Sequence, residues 1–195
     1  MSKRETKERI YKAALAVFSE KGAAATTREI AKRAHVNEVT LFRHFGNKEN
    51  LLQSVIERFS TAGMLTEELD AQLTGDLSSD LRFLAHTYLK TALERAEYIR
   101  LGIMEASRKE LAHTLGEIPK QLTSHLADYF RKLHQQGVIC EADYMLMAHI
   151  FYGMLFQSVI TKEYQTEELN YLDHEEKRDK LIDTIVELFV CKLNR

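Results

Sequence analysis

The chain has 195 residues, 45 % hydrophobic and 29 % charged, with 27 Lys and Arg against 29 Asp and Glu. That length carries one domain or two small ones and buries a sizeable core. No apolar run approaches the roughly 20 residues of a membrane helix, and no charged-then-apolar leader opens the chain, so neither a membrane nor an export role is expected.

Cysteine is scarce. Cys140 and Cys191 stand far apart without metal-ligand spacing, which predicts a reducing cytoplasm, no metal and no cofactor. Pro119 is the one proline, so an all-α chain is expected. Charge is unevenly spread. Residues 1–48 hold 11 basic and 5 acidic residues, a net of +6; subtraction from the totals leaves 16 basic and 24 acidic in 49–195, a net of −8. A basic end beside an acidic remainder is the asymmetry of a protein with one end facing phosphates.

Residues 3–21 read as a first helix, with Ile10, Ala13, Ala14, Val17 and Phe18 on one face and Gly22 placed to cap it. Lys3, Arg4 and Lys7 at its start either reach phosphate or are simply solvated. Thr26 and Glu29 have the Thr-x-x-Glu spacing of a capping box, opening a short helix whose apolar face is Ile30, Ala31 and Ala34. His35-Val36 breaks that pattern. Asn37 then caps a second short helix that buries Leu41 and Phe45, and Asn47 starts another. Two short helices joined by a tight turn, with Arg28, Asn37, Thr40, Arg43, His44 and Lys48 outside, are the pattern of a helix-turn-helix.

The order TTREIAKRAHVNEVTLFRHFGNKENLL, preceded by a helix ending in Phe18-Ser19-Glu20-Lys21-Gly22, resembles the N-terminal domain of the TetR family of bacterial transcriptional regulators. The most specific part is Thr40-Leu41-Phe42-Arg43-His44-Phe45, followed by Lys48-Glu49 and Leu51-Leu52. Three positions depart from the family pattern. His35 stands where Gly is usual, Val39 where a small residue is common, and Phe42 where Tyr would bring a hydroxyl to a phosphate.

The resemblance implies a DNA-binding domain over residues 1–48, with Thr27, Arg28, Phe42, His44 and Lys48 positioning the protein on the phosphate backbone. The exposed start and outer face of the second motif helix supply the reading set: Asn37, Glu38, Val39, Thr40 and Arg43. Arg43 suits guanine, Glu38 cytosine and Val39 a thymine methyl; equally, Glu38 serves the helix dipole and Asn37 only caps.

Residues 47–73 read as a long connecting helix, with Gly63 as a bend or end, and Gly75, Asp76, Ser78 and Ser79 as a loop running into the next helix. Helices follow over 81–93 and 99–115. A third begins at Gly116-Glu117-Ile118-Pro119, since proline suits a first turn, and ends at Gln136-Gly137.

The last two helices, 142–162 and 175–193, are apolar over most of their circumference. Such helices need cover on more than one side; a second copy is the expected cover, forming a twofold four-helix interface, and the alternative is that both are central in a monomeric core. The resemblance implies that residues 49–195 are a helical ligand-binding and dimerisation domain. Phe59, Phe83, His86, Met104, Ser107, Phe130, His134, Met147 and Phe151 are its candidate pocket lining, and each is equally an ordinary core residue. The pocket itself is implied by the family resemblance.

No His-Glu-x-x-His, phosphate loop or Gly-x-Ser-x-Gly is present, so an enzyme is not expected. The functional expectation is a ligand-responsive repressor that binds a palindromic operator as a homodimer. The competing class is a helical small-molecule-binding or protein-interaction module without sequence-specific DNA binding.

Overall fold

A computed structural model describes residues 3–60, 71–105 and 109–194, with the side chains of all but residues 23, 59, 60, 109–115 and 118. The described residues form α1 (Lys3–Lys21), α2 (Thr27–Arg33), α3 (Glu38–Phe45), α4 (Lys48–Ser60), α5 (Leu77–Glu94), α6 (Ala96–Glu105), α7 (Lys109–Gln135), α8 (Tyr144–Thr161) and α9 (Glu175–Leu193). Short 3-10 turns occupy Gly22–Ala24 and Lys162–Tyr164. The architecture is all-α. A single antiparallel bridge, Ile139 with Asn194, is the only extended pairing among the described residues.

The chain divides into two compact units, Met1–Ala62 with Arg95–Ile118, and Gly63–Glu94 with Pro119–Arg195. The first takes in more than residues 1–48. α1 is a central strut, packed against α2, α4 and α6. Its stripe of Ile10, Ala14, Val17 and Phe18 meets a core that includes Ile30, Leu41, Leu51, Val55 and Leu101, all but fully buried. α2 and α3 are too short to enclose that stripe without the apolar faces of α4 and α6. Gly22 ends α1 at φ 52°, and a Cβ there would lie 3.2 Å from the Met104 methyl. Both the left-handed turn and the close approach call for glycine.

In the second unit α5 packs on α8 and α9. Phe151 meets Phe189 edge to face, with centroids 5.4 Å apart, and Tyr88 lies beside Tyr152 at 5.2 Å. Burial pushes both phenols above their ordinary pKa, so they stay neutral. An ion pair between Arg82 and Asp183, and a contact of His86 with Asp179 at 3.7 Å, join α5 to α9.

Pro119 corrects an expectation. No helix begins at 116–119; α7 runs through, with Pro119 inside it. Proline removes one backbone hydrogen bond and crowds the preceding turn. Here the flanking residues hold the helix, because Leu122, Leu126 and Phe130 lock the following turns into the core. α7 ends as expected. Gly137 has φ 76°, its N–H reaches the His134 carbonyl, and the Val138 N–H reaches Leu133, both at 2.9 Å. That is a Schellman cap.

Gly63 and the far end of the expected 47–73 helix lie outside the described residues, as does part of the expected 99–115 helix. The expectation that no apolar run approaches the length of a membrane helix is corrected, because Tyr144–Tyr164 is long and apolar enough to cross a bilayer by length and composition alone. α8 buries Ala148, Phe151, Tyr152, Leu155 and Val159 and leaves Met145, Leu146, Ile150 and Met154 exposed. On α9, Leu188 is 55 % exposed.

One buried acid organises the entry to α5. Asp80, 1 % exposed, accepts from the Thr74 N–H and the Gly75 N–H, each at 2.8 Å, from the Thr74 hydroxyl at 3.0 Å and from the Tyr129 hydroxyl of α7. Hydrogen bonds to a buried charge are worth more than neutral ones, and donors left unmet cost more still. We expect Asp80→Ala to cost about 3 kcal/mol in urea unfolding and Tyr129→Phe about 1–2 kcal/mol; equal, negligible losses would contradict this role.

Candidate nucleic-acid interface

α2 begins on its capping box. The Thr26 hydroxyl accepts the Glu29 N–H at 3.2 Å, and the Glu29 carboxylate accepts the Thr26 N–H at 3.2 Å. Lys21 pairs with the same carboxylate; that bond first, then those from Thr26, holds the Glu29 carboxyl below the usual range. α1 is thereby tied to the start of α2. At the other end of α2, His35 adopts φ 52°. The His35 N–H bonds Lys32 at 3.2 Å, and the Val36 N–H bonds Ala31 at 3.0 Å. This is the same Schellman geometry as at Gly137, with histidine in the left-handed place glycine usually takes.

α3 follows after one extended residue. Asn37 caps it, its amide oxygen accepting the Val39 N–H at 2.8 Å. Leu41 and Phe45 point inward, 0 % and 7 % exposed. The Phe45 ring stands edge-on to Tyr11 of α1 at 5.3 Å, and the Arg58 guanidinium covers Tyr11 at 4.8 Å while pairing with Glu8 at 2.7 Å. Gly46, at φ 80°, closes α3 by donating to Phe42 at 2.7 Å, and Asn47 then caps α4 through the Asn50 N–H at 2.7 Å.

What remains outward is a ridge. Asn37, Val39, Phe42 and Arg43 are exposed, Val39 at 72 % and Phe42 at 41 %, and Thr40, Glu38 and His44 are half-buried. Arg28 on α2 is exposed and Thr27 half-buried. The sequence-predicted DNA residues therefore share the α2–α3 surface, with Lys48 at the start of α4.

Two of them carry internal duties that sequence reasoning missed. The Thr27 hydroxyl donates to the Glu38 carboxylate, joining the first turn of α2 to the first turn of α3. Lys48 donates to the Ala25 carbonyl at 2.8 Å, fastening α4 to the α1–α2 junction. No spacing signal exposes contacts that cross a turn between helices.

The predicted pocket residues are scattered in character. Phe130 and Phe151 are fully buried core rings, while Phe83 and Met147 are half-buried. His86 is exposed beside Asp179, and the His134 ring nitrogen lies 3.2 Å from the Ile139 carbonyl. Met104 is exposed in the first unit, where it adjoins Gly22. Ser107 lies outside the described residues, as does the side chain of Phe59.

Residues 10–55 match the family model described as bacterial regulatory proteins, tetR family, and residues 79–192 match the C-terminal domain of AefR-like transcriptional repressors. The chain belongs to the TetR family. YvkB of Bacillus subtilis, described as an uncharacterized HTH-type transcriptional regulator, is 31 % identical over 156 residues, covering 78 % of this chain and 80 % of YvkB. Among solved structures, a TetR-like regulator from Rhodococcus superposes with TM-score 0.75 at 15 % identity over 98 % of both chains. FadR from Bacillus subtilis, solved with stearoyl-CoA, gives 0.72 at 22 % identity over 94 % of this chain and 97 % of its own. At those identities the two structures speak to the fold alone. As a TetR-family protein the chain is a helix-turn-helix transcriptional regulator.

His44 carries a pH signature. Partial burial first, then the cations of Arg43, Lys3 and Lys7, hold its imidazole below the ordinary 6.5. The folded state therefore binds this proton more weakly than the unfolded chain, so the associated stability is present above the ordinary value and is lost as pH falls below it. His44→Gln should narrow the drop in melting temperature of the full chain between about pH 8 and pH 5; an unchanged pH profile would contradict the assignment.

Proposed function

We propose that this protein is a homodimeric repressor that binds a palindromic operator and is released by a small molecule in its C-terminal body. The observation that carries the reading is the α3 ridge, where exposed apolar and basic side chains stand on a helix anchored from beneath by Leu41 and Phe45. A face of this kind enters the major groove, with phosphate contacts supplying affinity and base edges supplying choice. In this reading Thr27, Arg28, Phe42, His44 and Lys48 position the head, and Asn37, Glu38, Val39, Thr40 and Arg43 face the bases.

The dimer reading is supported by uncovered apolar surface. Leu146, Ile150 and Met154 on α8 and Leu188 on α9 are exposed, and the outer face of Gly153 is open. A second copy covers such faces in a four-helix arrangement, with Gly153 allowing close approach. Two heads then read half-sites about 34–36 Å apart. A ligand that prefers a body conformation with another head spacing lowers affinity by population shift. FadR binding stearoyl-CoA supports a small-molecule role for a body of this architecture. The reading places the protein in the cytoplasm, with the DNA.

Fluorescence anisotropy against duplexes enriched from a randomised pool tests the DNA role, expecting affinity that falls linearly with log salt concentration. Absence of a sequence-selective, salt-sensitive duplex would leave the ligand-module reading. Arg43→Ala should cost about 1–3 kcal/mol and relax preference at one base pair, whereas Lys48→Ala should weaken all sequences alike. Indistinguishable effects would refute the division into reading and positioning residues. For assembly, Ile150→Glu with Met154→Glu should convert a dimer mass to a monomer in light scattering, and a wild-type monomer at every concentration would overturn the interface.

A further inference from the structure

We propose that Val39 is a specificity-determining residue of this face, reading the 5-methyl group of a thymine in each operator half-site. The inference rests on the DNA-binding reading above and goes further, because the structure separates the side chains at the start of α3 by what they are free to do.

Asn37 and Glu38 are in part already occupied. The Asn37 amide oxygen is held by the Val39 N–H at 2.8 Å, and the Glu38 carboxylate is held by the Thr27 hydroxyl. Recruiting either acceptor for a base would loosen the cap of α3 or its tie to α2. Val39 has no such duty. It is 72 % exposed, on the opposite side of the helix from Leu41 and Phe45. A β-branched residue gains nothing for an exposed helix position, where alanine is the better helix former.

The surroundings name the occupant. Arg28 and Arg43 are exposed on the same α2–α3 surface, and the first 48 residues carry a net charge of +6. Their complement is a polyanion. Among the base-edge groups of the major groove, the apolar one is the thymine methyl. Two valine methyls, with no donor or acceptor to satisfy, fit that group and leave the polar edges of other bases unpaired.

The test uses the full chain and duplexes recovered from a randomised pool by the wild-type protein, each thymine replaced in turn by deoxyuridine. This removes the methyl and nothing else. At one thymine per half-site the replacement should weaken wild-type binding about fourfold, and about 15-fold when both half-sites are changed, the value of one buried methyl per contact. Val39→Ala, which should melt no lower than wild type, should bind the thymine and deoxyuridine duplexes equally. Retention of the full deoxyuridine penalty by Val39→Ala would overturn the proposal, as would indifference of the wild type at every thymine. Failure to recover any selective duplex would instead sink the DNA-binding reading itself, and this inference with it.

Discussion

An eight-residue helix cannot stand alone in water, because nucleation costs more than so few hydrogen bonds return. α3 is such a helix, and most of its side chains are committed outward. Its existence rests on two inward residues, Leu41 and Phe45, lodged in the core around α1. The edge-on Tyr11–Phe45 contact fixes the roll of α3 about its own axis as well as its depth. That roll decides which residues form the ridge. The outer face is therefore a consequence of the inner one.

The polar groups around the motif set the remaining degrees of freedom. Lys21–Glu29, Thr27–Glu38 and Lys48–Ala25 tie α1, α2, α3 and α4 to one another across their termini. Exposed ion pairs contribute little to stability. Their value here is angular, since each acts at a helix end, where a small displacement swings the whole element. A head that binds DNA needs its reading side chains pre-positioned, because ordering them on binding would subtract from affinity.

Local chemistry made much of this legible in the sequence. The Thr26–Glu29 capping box, the Asn37 cap, the glycine at 22 and the end of α7 at Gly137 each follow from a residue type whose backbone or hydrogen-bonding preference is strong at one position. Features settled by tertiary context were not legible. Pro119 reads as a helix start, and only the burial of Leu122, Leu126 and Phe130 shows why the helix carries through it. The first compact unit reaches into α4 and α6 because the stripe on α1 is longer than α2 and α3 can cover, a fact of packing with no marker in composition. Likewise, the spacing of Phe130 and Phe151 is that of any core ring, so it cannot distinguish a pocket wall from a filled interior.

The apolar stripe on α8 raises the question of what medium it meets. A bilayer would require the neighbouring helices to be free of charge at the same depth, since each charge in hydrocarbon costs several kcal/mol. α8 packs on α5, which in turn carries Arg82 and His86 paired with Asp183 and Asp179 of α9. Those paired side chains are about half exposed and need water beside them. An apolar stripe on α8, in a unit whose other helices carry half-exposed charged side chains, is better matched by a protein surface than by hydrocarbon. On the dimer reading proposed above, the helix that passes for a membrane span by composition meets the same apolar stripe of a second copy.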